Sequence, residues 1–180
     1  MAVLIGIFNL AADPIPDGFD KSAIGFVFLI DTNGQPSQPN GPCFFVSVTT
    51  SNGFVPHLVT AKHVLQDTNG TILPQVAVRL SRATGGVSFV IFPLTQTNTP
   101  FRVFTHPESG VDLAVVPIAQ HVFSEYRIQP IPADLIATKE HMKKFKIREG
   151  DEMFFMGLFS HRFMAAKRIF QSFGLGDWQS

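Results

Sequence analysis

The pattern of apolar and polar residues along the chain predicts a mainly β protein. Short apolar runs rich in Val, Ile and Phe are separated by segments rich in Gly, Pro and Asn, which is typical of strands joined by turns. A protein of this kind closes most simply as a small antiparallel barrel, because closure removes the exposed sheet edges. The predicted strands of this barrel are 23–31, 43–50, 56–60, 76–82, 87–94, 101–106 and 112–118. The Asn-Gly and Pro residues of 32–42 predict a loop that excludes strand and helix.

After Ile118 the composition changes, and the prolines and charges predict a linker with a helix at 133–143, capped at Ala133 or Asp134. "EMFFMGLF" (152–159) then begins a second apolar β unit that no later strand pattern completes. The chain therefore divides by prediction into an N-terminal segment, a first β-barrel, an inter-barrel linker and the start of an incomplete second barrel. These parts are 1–22, 23–120, 121–149 and 150–180.

Composition narrows the possible partners. With 45% hydrophobic residues, 180 residues can bury one sizeable core or two small lobes. Lys and Arg number 14 and balance 14 Asp and Glu, so no net field attracts nucleic acid. No apolar run approaches the roughly 18 residues of a membrane span, and the N-terminus lacks the basic region of a signal peptide.

The single cysteine, Cys43, cannot form an internal disulfide, which favours a reducing, cytoplasmic compartment.

Two residues are candidates for proton transfer. His63 follows a short apolar strand, and Asp112 enters another apolar strand 49 positions later. A carboxylate that accepts a ring N–H fixes the imidazole tautomer and leaves the second ring nitrogen free as a general base. The bland alternatives are a histidine satisfied by nearby backbone and an aspartate that caps a strand beside the "PESG" turn. The spacing alone leaves both interpretations open.

Four motifs resemble the trypsin-like (chymotrypsin-fold) serine peptidases, in their bacterial form. The resemblance covers about residues 23 to 159 and rests on "GPCFFVSV", "LVTAKHV", "GVDLAVVPI" and "REGDEMFFMGLF". It implies a chymotrypsin-like barrel, a polypeptide substrate, and hydrolysis by a His-Asp-Ser triad without cofactor or metal. In that triad His63 would be the general base and Asp112 its orienter, at the cleft between two barrels. Secreted animal relatives carry a paired cysteine directly after the histidine, where this chain has Val64.

The third triad member is missing from the sequence. The family's nucleophile lies in a Gly-x-Ser-Gly turn of the second barrel, and neither this pattern nor Gly-x-Cys-Gly follows Asp112. We expect Cys43 to be a buried apolar residue rather than a thiolate, and the other histidines lack metal-ligand spacing. The downstream serines, none of them framed by glycines, are Ser124, Ser160, Ser172 and Ser180.

Two interpretations follow from this absence. In the first, the chain is a C-terminally truncated peptidase that is inactive as it stands and self-associates through the unpaired strand of its second barrel. In the second, it is a non-catalytic binding or interaction module that retains the histidine and the aspartate.

Overall fold

The computed structural model describes residues 4–6, 21–51, 53–95, 102–148 and 154–156. Single 3₁₀-helical turns occur at Lys21–Ala23, Lys62–Leu65 and Ala133–Leu135. The helices are α1 (His121–Glu125) and α2 (Lys139–Lys144). The strands are β1 (Leu4–Gly6), β2 (Ile24–Ile30), β3 (Pro36–Thr50), β4 (Gly53–Thr60), β5 (Gln75–Ser81), β6 (Val87–Pro93), β7 (Phe104–Thr105), β8 (Ala114–Pro117), β9 (Ile131–Pro132) and β10 (Phe154–Met156).

The strands of the predicted barrel region form one antiparallel sheet. Its order is β6-β5-β2-β3-β4-β8-β7, and β9 pairs in parallel with β3. The mainly β, antiparallel prediction is therefore confirmed. Within the described residues no ladder joins β6 to β7, so the sheet is open along its hydrogen bonds and the predicted closure is not established.

One apolar core lies against the inner face of this sheet. Residues at alternate strand positions contribute to it, for example Ala114 and Val116 of β8, as the period of two in a β-strand predicts. Its fully buried members include Val27 on β2, Phe45 on β3, Leu58 on β4, Val78 on β5 and Val116 on β8. Phe92 on β6 belongs to the same cluster, so strands from both ends of the sheet order share a single core.

The predicted loop at 32–42 is wrong over most of its length. The turn is confined to 31–35, where the Asp31 carboxylate accepts from the backbone N–H groups of Asn33 (2.9 Å) and Gln35 (2.8 Å). β3 begins at Pro36, and its prolines are tolerated because its register against β2 is irregular there. On its other side β3 is paired with β4 only from Phe44 onwards, so no β4 residue lies in register with the prolines.

The single linker helix predicted at 133–143 is also wrong. The chain makes a 3₁₀ turn at Ala133–Leu135 and then the separate helix α2. Thr138 is the N-cap of α2, and its side chain accepts from the backbone N–H of His141 at 3.2 Å. No side-chain cap bond forms at the start of the 133–135 turn, so the helix begins where a hydroxyl can satisfy its first amides.

The strand predicted at 152–159 has a partner that the sequence did not indicate. Ile5 of β1 lies opposite Phe155 of β10 in a short antiparallel pair. One edge of this strand is therefore occupied, which corrects the expectation of a wholly unpaired strand. The rest of 1–22 and of 150–180 lies largely outside the described residues, and self-association stays a prediction. Across the described ranges, no helix has the length and apolar character needed to cross a bilayer.

Candidate functional site

The pairing of β4 with β8 brings the two candidate residues to one end of the sheet. Thr60, the last residue of β4, lies opposite Ala114, the first residue of β8. Because the strands are antiparallel, the chain leaving Thr60 and the chain entering Ala114 occupy the same end. His63 lies three residues beyond this pair and Asp112 two residues before it. The strand register alone therefore makes them neighbours.

A single 3₁₀ turn directs the His63 side chain outwards. The turn is closed by bonds from the Val64 N–H to the Ala61 carbonyl (3.1 Å) and from the Gln66 N–H to the His63 carbonyl (3.2 Å). Val64 and Leu65 are buried in the core and anchor the turn, whereas the His63 side chain is 60% exposed. The apolar "VL" that follows the histidine thus sets the direction of the ring.

His63 contacts Asp112 at two points. The ring Nδ1 lies 2.5 Å from Oδ2, and the backbone N–H of His63 donates to Oδ1 at 3.0 Å. An ionised carboxylate only accepts hydrogen bonds, so Nδ1 is the protonated nitrogen of the neutral ring and Nε2 is left as an acceptor. The contact that the family resemblance implies is present, whereas the catalytic roles of both residues stay a prediction.

Hydrogen bonds, rather than burial, keep the Asp112 carboxylate ionised. They hold its pKa below the ordinary value of 3.8. The backbone N–H of His63 contributes most, then its ring, and the Lys62 backbone contributes less. The Asp112 side chain is 50% exposed and lies outside the apolar core. Asp112 precedes β8, whose first residue, Ala114, is where burial begins.

Cys43 is a core residue and does not compete for the role of nucleophile. It is 1% exposed, and burial raises the pKa of its thiol to about 12 despite an opposing backbone hydrogen bond from Gly25. At neutral pH the side chain is therefore a thiol without nucleophilic charge. The prediction that it is a small buried apolar residue is confirmed.

The downstream hydroxyls do not complete the site within the described residues. The Ser124 hydroxyl donates to the His121 carbonyl at 2.7 Å, inside α1. Ser160, Ser172 and Ser180 lie outside the described residues. In the part of the chain that the structure describes, no hydroxyl or thiol is hydrogen-bonded to the His63 ring, and no group of three or more His, Cys, Asp or Glu side chains is placed to hold a metal ion.

Sequence reasoning missed two polar residues that hold the His63 turn. The Asn40 amide donates to the Val64 carbonyl at 2.8 Å, and the Thr60 hydroxyl donates to the Pro42 carbonyl at 2.8 Å. The Asn-Gly-Pro context of Asn40 predicts a loop, and no sequence pattern marks the irregular strand that carries it. Thr60 had a usable signal, since a hydroxyl that ends the apolar run "HLVT" needs a partner once it is buried.

Comparison of the chain with protein-family models, with curated proteins and with solved structures gives no match. The functional assignment therefore depends on the motifs and on the geometry around His63.

Proposed function

We propose that this chain carries the general base and its orienter from a trypsin-like serine peptidase, the class that hydrolyses peptide bonds with a His-Asp-Ser triad. The observation that carries the proposal is the two-point contact of His63 with one carboxylate, through its ring and through its own backbone N–H. A strand-capping aspartate has no need of the ring. The resemblance of "LVTAKHV" and "GVDLAVVPI" to this family implies the same roles for His63 and Asp112.

The geometry supports different roles for Asp112 and His63. Asp112, whose pKa is lowered, stays ionised and keeps the proton of the neutral ring on Nδ1. His63 can then accept the proton of an attacking hydroxyl at Nε2, and the resulting imidazolium is stabilised by the carboxylate. The exposure of the ring leaves room for a hydroxyl and for the polypeptide substrate that the resemblance implies.

A chymotrypsin-like barrel is part of the same proposal. Phe92 of β6 and Val116 of β8 pack into one core, although these strands are far apart in the sheet order. A sheet that curls around one core accounts for this sharing. This curvature supports the barrel as the finer description of the antiparallel sheet.

We assign the general base to His63 and the orienter to Asp112, and we assign the role of nucleophile to no residue of this chain. The sequence after Asp112 contains neither Gly-x-Ser-Gly nor Gly-x-Cys-Gly, so we expect the chain to leave casein intact and to remain unlabelled by a fluorophosphonate probe. Labelling of any serine would contradict the missing nucleophile.

Hydrolysis of ethyl dichloroacetate tests the general base without requiring a serine, because an alkoxide leaves too poorly for the imidazole itself to act as the nucleophile. The expected result is hydrolysis by the parent chain that falls in His63→Ala and in Asp112→Asn, with a normal solvent deuterium isotope effect, because water is the nucleophile and the ring takes its proton. His121→Ala is the matched control, since it removes an exposed histidine that the structure does not link to Asp112. Equal rates for the parent, His63→Ala and His121→Ala would contradict the proposal.

A second candidate, a non-catalytic binding or interaction module, is favoured by the absence of a glycine-framed nucleophile from the sequence. It predicts that the His63 and Asp112 variants hydrolyse the ester no more slowly than the parent. The same assay therefore separates the two functions.

A further inference from the structure

An irregularity in β3 lies next to the His63 turn. Val27 of β2 pairs with Gly41, and the next residue, Phe28, pairs with Pro39, so Asn40 is an extra residue on β3. An extra residue of this kind is a β-bulge, which turns a side chain away from the regular alternation of the strand. The bulge frees Asn40 to reach outside the ladder.

The Asn40 side chain reaches the residue that follows the histidine. Its Nδ2 donates to the carbonyl of Val64 at 2.8 Å in a partly buried position, although the two residues are 24 positions apart. A 3₁₀ turn of four residues satisfies few of its own carbonyl groups. The amide therefore ties a turn with little internal support to the rigid sheet.

Gly41 allows β3 to lie against Val64 because it has no side chain. A Cβ at this position would lie 2.6 Å from Cγ2 of Val64 and 3.2 Å from its Cγ1. Val64 is 2% exposed and its branched side chain has little rotamer freedom, so it cannot move aside cheaply. Only glycine lets β3 approach the turn this closely.

A third contact precedes the turn. The hydroxyl of Thr60, which is 1% exposed, donates to the Pro42 carbonyl at 2.8 Å. The consecutive residues Asn40, Gly41 and Pro42 thus hold the chain at Thr60 and Val64, on both sides of His63. We call these three residues the β3 clamp.

We propose that Asn40 is a positioning residue for the His63–Asp112 pair, acting through the β3 clamp. The two-point contact requires the ring and the backbone N–H of His63 to face one carboxylate together, and the orientation of the turn decides whether both can. Removing the Asn40 donor frees the turn to rotate about its apolar anchors, which separates the two contacts. The catalytic meaning of this role rests on the proposed function.

The test is NMR on the full chain with two Asn40 variants. Asn40→Leu keeps the approximate volume without donor or charge, and Asn40→Ala truncates the side chain. The expected result is loss or exchange broadening of the low-field His63 Nδ1–H resonance, and a rise of the Asp112 pKa towards 3.8, with the remaining amide dispersion unchanged. A merely structural role would lower the melting temperature without moving either signal.

Two further variants complete the design. Ser37→Ala is the matched control, because it removes another side-chain to backbone bond of β3, from Ser37 to the Leu29 carbonyl, and should leave both signals in place. Gly41→Ala perturbs the clamp without touching the Asn40 amide and should reproduce the loss.

The outcomes distinguish the two proposals. If the parent shows both signals and the Asn40 variants retain them, the positioning role is overturned and the proposed function stands. If the folded parent itself shows no Nδ1–H resonance and an ordinary Asp112 pKa, the pair and with it the proposed function are overturned.

Discussion

Replacing Asp112 by Asn tests whether the carboxylate is held as the structure describes. The substitution keeps the side-chain shape and removes the charge that accepts from the ring and from the backbone N–H of His63. Hydrogen bonds to a charged group contribute about 1.5 to 3 kcal/mol each when buried. Here the two side chains are 60% and 50% exposed, and exposed ion pairs contribute about 0.2 to 1 kcal/mol. We therefore expect the free energy of unfolding to fall by about 1 kcal/mol at pH 7.

The pH dependence of this loss follows from the direction of the pKa shift. Asp112 has a lower pKa in the folded protein than in the unfolded chain, so its contribution is present above the unfolded value of 3.8 and is lost as the pH falls through the folded value. The difference between parent and Asp112→Asn should be constant from pH 7 to about 5 and should shrink below 3.8.

Urea unfolding at a series of pH values measures this difference directly. Glu108→Gln is the control. The Glu108 carboxylate lies in the "PESG" turn before Asp112 and has no side-chain hydrogen bond among the described residues, so its removal should change the free energy of unfolding little. A double-mutant cycle with His63→Ala isolates the ring contact, because alanine keeps the backbone N–H, and its coupling energy should be about 0.5 kcal/mol. A loss that is absent at pH 7, or equal at pH 7 and pH 2.5, would refute the reasoning.

The remaining predictions concern the core, the turn and the association state. Cys43, with a thiol pKa of about 12, should be inert to Ellman's reagent at pH 8 until urea unfolds the chain, and rapid labelling of the native protein would contradict its burial. Phe45→Ala removes a fully buried ring and should lower the free energy of unfolding by about 3 to 5 kcal/mol in urea titrations. Thr60→Val leaves the Pro42 carbonyl without its donor and should cost about 1 to 2 kcal/mol in the same measurement, whereas Thr105→Val, on exposed β7, should not. Self-association through 152–159 should appear as a concentration-dependent sedimentation coefficient, and a constant monomer value would contradict it.

Strands and their order along the chain were the part of the fold that the sequence could predict. Val76, Val78 and Leu80 occupy alternate positions and the exposed residues Arg79 and Ser81 are polar, so a local pattern marks β5. The pairing of β1 with β10 could not be predicted, because residues 4 and 156 are joined by a contact that leaves no local pattern. The prolines of 36–42 led to the wrong prediction of a loop. Their local preference for loops is overridden by the pairing of β3 with β2, which a local pattern does not show.

The contact between His63 and Asp112 could be predicted from the resemblance, whereas the surroundings of the two residues could not. The apolar flanks of His63 and Asp112 indicated strand ends, and the register between Thr60 and Ala114 then placed them together. The exposure of Asp112 and the contribution of Asn40 depend on a single 3₁₀ turn and on one bulge, whose geometry is set by packing rather than by residue type. This is why the sequence indicated the pair and not the clamp.

The position of the proton on the His63 ring tests the central claim most directly. Two-dimensional ¹⁵N NMR of the imidazole nitrogens, recorded at a pH where the ring is neutral, distinguishes the two tautomers. We expect a protonated Nδ1 facing Asp112 and an unprotonated Nε2 available as a base. A proton on Nε2 in the folded chain would contradict the base-and-orienter pair, and with it the proposed relationship to the serine peptidases.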